Sequence, residues 1–286
     1  MTITITTSNV NGIRAAKRKG IEQWAAKNTP DVWCMQEVRA PQNEIDPIFD
    51  EFGFEYATAG RIADQSGLDR MNEICRIKGR AGVGLLSALP VIDKRYGLSG
   101  LAEDVDSGRW IEADVKTPQG YTVTVVCVYV HAGNTDDPEK MKQKYRFLDT
   151  MLVRMGQLRD EAAHGGKQAV LCGDFNIAHT PLDIKNAKAN EKHAGFLPEE
   201  RAYVDKWLGE LEFVDVMRSL CEDIQGPYTW WSQRGRAFDN NVGWRIDYQF
   251  ATPELAETAR GFVIDKAPTY DLRWSDHAPL SITYDV

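Results

Sequence analysis

Acid, amide and imidazole side chains stand at the ends of apolar runs that are far apart in this chain. Five segments share this feature: Asn9-Val10-Asn11, Gln36-Glu37, Gly173-Asp174-Phe175-Asn176, Arg245-Ile246-Asp247 and Ser275-Asp276-His277. Burying a polar group without a partner costs roughly 2–7 kcal/mol, so five polar strand ends indicate one shared site. Asp, Glu, Asn and His form the ligand set that hard divalent cations prefer. We therefore expect a fold that brings these strand ends together around a metal ion.

The hydrophobic pattern alternates between strands and helices along the chain. Strands are predicted over 2–10, 32–36, 83–87, 110–115, 121–130, 169–172, 246–251 and 280–284, and helices over 21–27, 43–52, 138–164 and 198–208. Residues 117–120 form a predicted turn that joins two strands without an intervening helix. This mixture favours two packed sheets covered by helices over a single doubly wound sheet. No repeat or linker divides the chain, so residues 1–286 are predicted to form one domain.

Composition narrows the class of protein. Hydrophobic residues make up 43% of the 286 residues, which is enough for a sizeable core. No apolar run approaches the ~20 residues that span a bilayer, and the chain begins with an alternating strand rather than a signal peptide. We expect a cytoplasmic, monomeric protein without a membrane partner. The net charge of −8 lowers the expectation of a nucleic-acid partner, but it does not show where the charges lie.

The five cysteines form no CxxC pair, and Cys34, Cys127 and Cys172 lie within apolar strand-like runs. They are predicted to be reduced core residues. A zinc site is not expected, because no Cys/His cluster has the required spacing.

The block LCGDFNIAHTPLDI, residues 171–184, places Asp174 and Asn176 after an apolar strand and two positions apart. Strand alternation puts both side chains on one face. Asp174 is then able to hold a metal or take a proton, and Asn176 to orient a water. The alternative is a turn in which both side chains bond their own backbone.

Two further segments carry ionisable groups into apolar surroundings. In SDHAP, Asp276 and His277 point in different directions, so that His277 can face a phosphate while Asp276 faces either a metal or the groups around its ligands. In NVGWRIDY, Asp247 stands among apolar and aromatic neighbours, where a histidine partner would satisfy it and orient the imidazole. The alternative for Asp247 is a buried ion pair with Arg245.

These motifs together resemble those of the exonuclease III / apurinic (AP) endonuclease family, within the DNase I-like group of metal phosphodiesterases. The resemblance runs from NVNGIRA (9–15) to SDHAP (275–279), and it is most specific in GDFNIAHTPLDI, in residues 185–201 and in NVGWRIDY. It implies an α+β fold, a four-layer α/β/β/α sandwich, with the site at one end of the two sheets. It also implies Mg²⁺- or Mn²⁺-dependent attack of water on a DNA phosphodiester.

The resemblance also implies roles for individual residues. Metal ligands are assigned to Asn9, Asn11, Glu37, Asp174, Asn176, Asp276 and His277, with Glu37 as the principal one. Catalytic roles are assigned to Tyr129, Asp174, Asn176, Asp247 and His277. Phosphate contacts are assigned to Arg109, Asn186 and Asn190, and an apolar pocket for a sugar without its base to Trp230, Trp244 and Ile246.

Physical chemistry supports these roles independently. A phosphodiester is anionic and repels hydroxide, so a cation has to neutralise it. A pocket of two indoles and an isoleucine excludes a normal nucleotide by size, and an abasic sugar costs less to flip out of the helix than an intact nucleotide. The alternative for Trp230 and Trp244 is plain core packing.

The chain departs from the family pattern at several places. Ser8 replaces the aromatic residue that usually precedes Asn9, and Val38-Arg39 replaces the usual Thr-Lys after Glu37. After Tyr129 the family reads Pro-Asn-Gly or Pro-Asn-Ala, whereas this chain has Ala132 where the phosphate-contacting Asn is usual. Our hypothesis is that Asn134 or His131 replaces that contact.

Residues 60–80 form a longer connection than is usual in the family and carry five cations: Arg61, Arg70, Arg76, Lys78 and Arg80. This stretch either lies along a DNA backbone or is a solvated surface loop.

The leading functional hypothesis is a DNA-repair nuclease that acts on duplex DNA, cuts 5′ to an abasic site and trims damaged 3′ ends. The alternatives are a phosphodiesterase of the same fold acting on RNA or on a phospholipid or inositol phosphate, and a DNA-binding module that has lost catalysis.

Overall fold

The computed structural model describes residues 1–101, 103–221 and 223–286. Within these residues the chain forms the strands β1 (Thr2–Asn9), β2 (Val32–Gln36), β3 (Asp69–Glu73), β4 (Val83–Ser87), β5 (Val91–Tyr96), β6 (Trp110–Lys116), β7 (Thr122–Tyr129), β8 (Gln168–Asp174), β9 (Val214–Asp215), β10 (Asp247–Ala251), β11 (Ala259–Ile264) and β12 (Leu280–Asp285). The helices are α1 (Ile13–Arg18), α2 (Ile21–Asn28), α3 (Gln42–Thr58), α4 (Pro138–Ala163), α5 (Ala187–Asn190), α6 (Pro198–Gly209), α7 (Val216–Ser219) and α8 (Pro253–Ala256).

The strands form two six-stranded sheets. The first sheet has the order β11-β12-β1-β2-β4-β3, and the second has the order β5-β6-β7-β8-β10-β9. In the first sheet β1 pairs parallel with β2 and antiparallel with β12. In the second sheet β7 pairs parallel with β8, which pairs antiparallel with β10. The carboxyl ends of β1 and β2, and likewise those of β7 and β8, therefore point to a common edge.

The alternating pattern of the strands produces a core between the sheets. Ile3 and Ile5 of the first sheet and Val123, Val125 and Cys127 of the second sheet belong to the same buried cluster. The opposite faces of the sheets pack against helices, with Trp33 against Phe52 of α3 and residues of β7 and β8 against α4 and α6. The predicted α/β/β/α sandwich is confirmed.

Helix α4 begins where the sequence predicts it, at Pro138, and ends one residue earlier, at Ala163. The Asp137 side chain accepts a hydrogen bond from the Lys140 backbone N–H at its start, and Gly165 follows its end at φ 76°. Its buried face carries Met141, Leu148 and other apolar residues together with one cation, Lys144.

The predicted helix 43–52 is too short, because α3 continues to Thr58. Phe52 and Tyr56 pack in the core beneath it, and tertiary packing there overrides the weak helix propensity of Gly53. The short strands β3, β5, β9 and β11 were not predicted, since few of their residues are apolar in a regular alternation. The structure also corrects the description of 60–80 as a loop, because it contains β3, which pairs antiparallel with β4.

The basic residues of 60–80 are partly neutralised. Arg61 pairs with Asp31, Arg70 with Asp50, and Arg76 with Asp104. Lys78 and Arg80 are exposed and form no ion pair with any described residue. DNA contact by this stretch stays a prediction that rests on these two side chains.

All five cysteines are free, and Cys34, Cys127 and Cys172 are buried as predicted. Among the helices of the described residues, none combines the length and the apolar character that crossing a bilayer requires.

Candidate active site

The polar strand ends of the two sheets meet at one end of the sandwich. Asn9 at the end of β1 lies opposite Gln36 at the end of β2, and Tyr129 at the end of β7 lies opposite Asp174 at the end of β8. Asp247, which opens β10, also lies opposite Asp174. Parallel pairing places the two strand ends of each sheet side by side, as the sequence requires for a shared site.

Two side-chain hydrogen bonds join the sheets across this end. Asn9 Nδ2 donates to Asp174 Oδ2 at 2.9 Å, and the Tyr129 hydroxyl donates to the Glu37 carboxylate. Burial, followed by the charges of Glu37 and Asp174, raises the pKa of Tyr129 well above its usual value. The phenol therefore stays protonated and acts as a donor.

Asp174 takes part in the turn that the sequence left open as the alternative, while its carboxylate also lines the pocket. The Asn176 backbone N–H donates to Asp174 Oδ1 at 2.9 Å, as in an Asx turn, with Asn176 at φ 50°. The Asn176 side-chain amide donates to the Val130 carbonyl at 2.9 Å and lies 3.3 Å from Asp174 Oδ2. The turn therefore serves to fix the carboxylate, and it does not remove Asp174 from the site.

His277 and Asp247 make the contact predicted for them. His277 Nδ1 lies 2.9 Å from Asp247 Oδ2, and Nε2 points towards Asp174 Oδ2 at 3.8 Å. The alternative pairing of Asp247 with Arg245 is wrong, because Arg245 pairs instead with Asp183 and Asp215, each at 2.7 Å.

Burial and the neighbouring charges set the protonation states of His277 and Asp174. Burial disfavours the imidazolium, but Asp247 first and then Asp174 and Asp276 outweigh burial and raise the pKa of His277 to about 10. Burial is also the main reason that the pKa of Asp174 rises to about 7, with Asp247 and Glu37 adding to it and His277 and Asn9 opposing it. His277 is thus a cation at neutral pH, and Asp174 can exchange a proton there.

A second group of polar side chains faces the same space. Asn11, at φ 45°, donates from Nδ2 to Asp276 Oδ1 at 2.7 Å and accepts from Arg39 Nη1 at 2.7 Å. Arg39 also pairs with Glu37. Burial raises the pKa of Asp276, but the His277 charge and the hydrogen bonds from Asn11 and Trp230 outweigh it and hold the pKa below its usual value.

Two sets of residues are candidates to hold a divalent cation. Ligand atoms of Asp174, Asp247 and His277 lie within 4.8 Å of one another, and Asp247 Oδ1 is buried without a hydrogen-bond partner among the described residues. A protonated imidazole has no lone pair to offer, however. The oxygen donors of Glu37, Asn11 and Asp276 therefore fit a hard cation better, and in this structure Arg39 neutralises Glu37.

The polar groups open into a pocket of about 430 Å³. Its apolar wall consists of Trp230, Trp244 and Ile246, and the two indoles meet edge to face with ring centroids 6.0 Å apart. Trp230 Nε1 also lies 3.2 Å from Asp276 Oδ2. Both tryptophans also pack against a small apolar cluster, so each residue contributes to a core and to the pocket wall.

The structure places some of the predicted residues outside this pocket. Arg109 lies behind Tyr129, with its guanidinium 4.9 Å from the ring centroid and Nε donating to the Val105 carbonyl. Asn190 lines the pocket, whereas Asn186 does not line it and precedes α5 without a side-chain capping hydrogen bond. Asn9 and Asp247 act from behind, through Asp174 and His277. The phosphate contacts assigned to Arg109 and Asn186 stay predictions.

The structure does not support the hypothesis that Asn134 or His131 replaces the missing asparagine. The Asn134 side chain accepts a hydrogen bond from the Asp136 backbone, and His131 pairs with Asp106 at 3.0 Å. Ala132 itself lines the pocket. Ser8, another departure from the family pattern, accepts a hydrogen bond from Trp33 Nε1 at 2.8 Å in the buried layer behind the site.

Sequence reasoning missed several residues that line the pocket: Arg39, Gly133, His193, Ala194 and Gly195. His193 to Gly195 lie on a loop without hydrophobic periodicity, so no strand or helix pattern marks them. One signal was present, because His193 lies three residues after Asn190, to which a phosphate contact is assigned.

A two-sheet sandwich whose strand ends place acids, amides and an Asp–His pair around one pocket defines a phosphoester hydrolase of the metal-assisted kind. Residues 6–277 match the model of the Endonuclease/Exonuclease/phosphatase family, and the chain belongs to this family. The resemblance found in the motifs is confirmed.

Three proteins illustrate the similarity. The exodeoxyribonuclease of Bacillus subtilis (strain 168) is 29% identical over 279 residues, which cover 97% of this chain and 98% of that protein. The solved structure of an AP endonuclease from Archaeoglobus fulgidus has 30% identity and a TM-score of 0.79, with 99% of this chain and 100% of that chain covered. A 3′ phosphatase from Neisseria bound to a product DNA hairpin has 26% identity and a TM-score of 0.79, with the same coverage.

Proposed function

We propose that this protein is a divalent-metal-dependent DNA-repair nuclease that hydrolyses the phosphodiester 5′ to an abasic site in duplex DNA and trims damaged 3′ ends. One observation carries the proposal: Asp174 and His277, with Asp247 hydrogen-bonded behind His277, line the same pocket as Trp230 and Trp244. The names of the relatives, an exodeoxyribonuclease, an AP endonuclease and a 3′ phosphatase, support both activities.

Protons and charges can be assigned to the chain's own residues. Asp174 accepts a proton from the attacking water, because its raised pKa of about 7 matches neutral pH. Asn176 holds the carboxylate in place through its backbone and side-chain amides. His277, kept cationic by Asp247, stabilises the negative charge that develops on the phosphate. The Tyr129 hydroxyl, which donates to Glu37 in this structure, would turn to the scissile phosphate as a further donor.

Mg²⁺ or Mn²⁺ fits best at Glu37, with Asn11 and Asp276 beside it. When bound there, the cation neutralises the phosphodiester and stabilises the leaving oxygen. Asn9 orients Asp174 from behind, so we assign it a supporting role in the metal-ligand set.

We infer a preference for abasic sites from the pocket. Its wall of Trp230, Trp244 and Ile246 is apolar and suits a sugar that has lost its base, and such a nucleotide costs less to flip than the few kcal/mol of an intact one. Next to the pocket, Lys185, Lys188 and Lys192 are exposed and form no ion pair within the described residues. Although the net charge is −8, this edge therefore presents cations to a DNA backbone.

The test uses two labelled duplexes, one with an internal abasic analogue and one with a recessed 3′ end. With Mg²⁺ or Mn²⁺, we expect incision 5′ to the analogue and shortening of the recessed strand, and EDTA should abolish both. Glu37→Ala and His277→Asn should each cost several orders of magnitude, whereas His164→Asn, at the exposed end of α4, should not change the rate.

The proposal fails if the intact protein cuts neither duplex with either metal. Cleavage of an RNA or of a phospholipid head group under the same conditions would then identify a different phosphodiesterase of this fold. Binding of the abasic duplex without cutting would indicate a DNA-binding module.

A further inference from the structure

One ion pair beside the pocket is completely buried. Lys144 of α4 and Glu200 of α6 have no exposed side-chain surface, and Nζ lies 2.6 Å from Oε1. Taking two charges out of water costs several kcal/mol for each ion, and apolar residues of similar size often hold helices together equally well. The backbone atoms that this pair contacts therefore indicate what it does.

The pair binds three separate backbone segments. Lys144 Nζ donates to the Ala132 carbonyl at 3.2 Å and to the Asn176 carbonyl at 2.9 Å. Glu200 Oε2 accepts from the Gly195 N–H at 2.6 Å and from the Leu197 N–H at 3.0 Å. Ala132, Asn176 and Gly195 all line the pocket. One side of the pocket is thus assembled around a single pair of charges.

The segments bound by the ion pair pack tightly against the neighbouring residues of the pocket wall. Gly195, at φ +92°, is so close that a Cβ there would lie 3.0 Å from the Trp244 ring and 3.2 Å from the Asn176 carbonyl oxygen. At Gly133 a Cβ would lie 2.8 Å from Met141 Sδ and 3.2 Å from Lys144 Cδ. Close packing transmits small shifts, so moving Lys144 or Glu200 moves the wall.

We propose that the Lys144–Glu200 ion pair positions the pocket wall and so sets both the cleavage rate and the discrimination between an abasic and an intact nucleotide. The rate depends on it because Asn176, whose carbonyl Lys144 holds, fixes Asp174 through its own amides. The discrimination depends on it because Glu200 holds Gly195 against Trp244. Neither residue touches the substrate, so both are positioning residues, and the inference rests on the proposed nuclease function.

Lys144→Met removes the ammonium group and keeps most of the side-chain length. We expect kcat on the abasic duplex to fall by about 10²-fold with little change in KM, as a misplacement of about 1 Å produces. The preference for the abasic over the intact duplex should fall by about tenfold. Glu200→Gln keeps an oxygen that accepts the Gly195 and Leu197 amides, so it should retain more of both properties than Lys144→Met.

Arg154→Met is the matched control. Arg154 lies on the same helix and pairs with Glu112 at 2.8 Å, far from the pocket lining. Its loss should lower stability without changing kcat or the preference for the abasic duplex. Hydrogen exchange of the Gly195 and Leu197 amides should accelerate in Lys144→Met and should not accelerate in Arg154→Met.

The inference is overturned if Lys144→Met, corrected for its folded fraction, keeps the wild-type kcat and preference, or loses them in parallel with Arg154→Met. If Lys144→Met does not fold, Glu200→Gln decides: it breaks the ion pair but keeps the acceptor oxygen, so kcat and the preference should fall measurably below the wild-type values, and wild-type values of both would overturn the inference. If the wild-type protein cuts neither duplex, the proposed function fails, while the exchange comparison still tests the positioning of Gly195 and Leu197.

Discussion

The Asp247–His277 pair offers the sharpest single perturbation of the site. Asp247→Asn keeps the shape of the side chain but removes the negative charge 2.9 Å from His277 Nδ1. That charge is the main force that opposes burial and raises the pKa of His277 to about 10. Without it, only the charges of Asp174 and Asp276 still oppose burial, and the pKa of His277 should fall towards its ordinary value near 6.5.

The size of this effect follows from the shift. A drop from about 10 to about 6.5 is worth roughly 4–5 kcal/mol of preference for the imidazolium, at about 1.4 kcal/mol per unit. At pH 8 the variant is mostly neutral at His277 and should be slower by about 10³-fold, since it lacks the cation that stabilises the phosphate. The loss should shrink as the pH falls below the new pKa, because the imidazole then regains its proton.

The assay has two parts. NMR titration of the His277 ring in metal-free protein gives the pKa of the wild type and of Asp247→Asn, and cleavage of the abasic duplex over pH 5.5–9 gives the rates. Asp205→Asn is the control, because Asp205 forms a comparable 2.7 Å pair with His179 on the surface. The reasoning is refuted if His277 in Asp247→Asn still titrates near 10, or if the two pH profiles coincide.

Three further predictions concern the pocket, acid stability and metal removal. Trp244→Ala should open the apolar wall and lower the preference for abasic over intact duplex by about 10-fold or more, measured as the ratio of kcat/KM values; an unchanged ratio would show that Trp244 is only a core residue. Asp183 pairs with the buried Arg245 and with Arg218, and although burial opposes it, these contacts lower the pKa of Asp183 to about 2. Because the pKa of Asp183 in the folded state lies below its unfolded value near 3.9, ionised Asp183 contributes about 2–3 kcal/mol to the free energy of unfolding above pH 4, and this contribution is lost as the pH falls towards 2. Urea melts over pH 2–7 should therefore show a smaller loss of unfolding free energy towards acid pH for Asp183→Asn than for the wild type. An unchanged pH dependence would contradict this. EDTA should stop cleavage while leaving the circular dichroism spectrum unchanged, since the two sheets share a core that does not include the proposed ligands; unfolding on chelation would assign the metal a structural role.

The parts of the site on regular strands could be predicted from the sequence. Asp174 ends the apolar strand β8 and Asp247 begins the apolar strand β10, and strand alternation fixes the directions of their side chains. Physical chemistry required a partner for the buried Asp247 carboxylate but left a histidine and Arg245 open, and the family resemblance pointed to His277, which the structure places there. The α/β/β/α class followed from strand pairs mixed with helices.

The parts of the site on loops could not be predicted in this way. His193 and Gly195 lie on a loop of the pocket wall, where the Gly195 N–H donates to Glu200, and no periodic pattern encodes a contact between distant loops. A signal did exist, because Lys144 stands on the buried face of α4 between Met141 and Leu148, where a charge requires a partner. Arg109 lies behind Tyr129 because its guanidinium stacks on that ring, which a position-by-position resemblance does not show.

The central claim is that distant strand ends converge to bind one divalent cation beside the Asp174, Asp247 and His277 group. The most direct test is anomalous diffraction from crystals of this protein grown with Mn²⁺. The account predicts one strong anomalous peak in the pocket, within coordination distance of a Glu37 carboxylate oxygen, with the Arg39 side chain displaced. A peak only at other surfaces, or none at a Mn²⁺ concentration that supports cleavage, would contradict it.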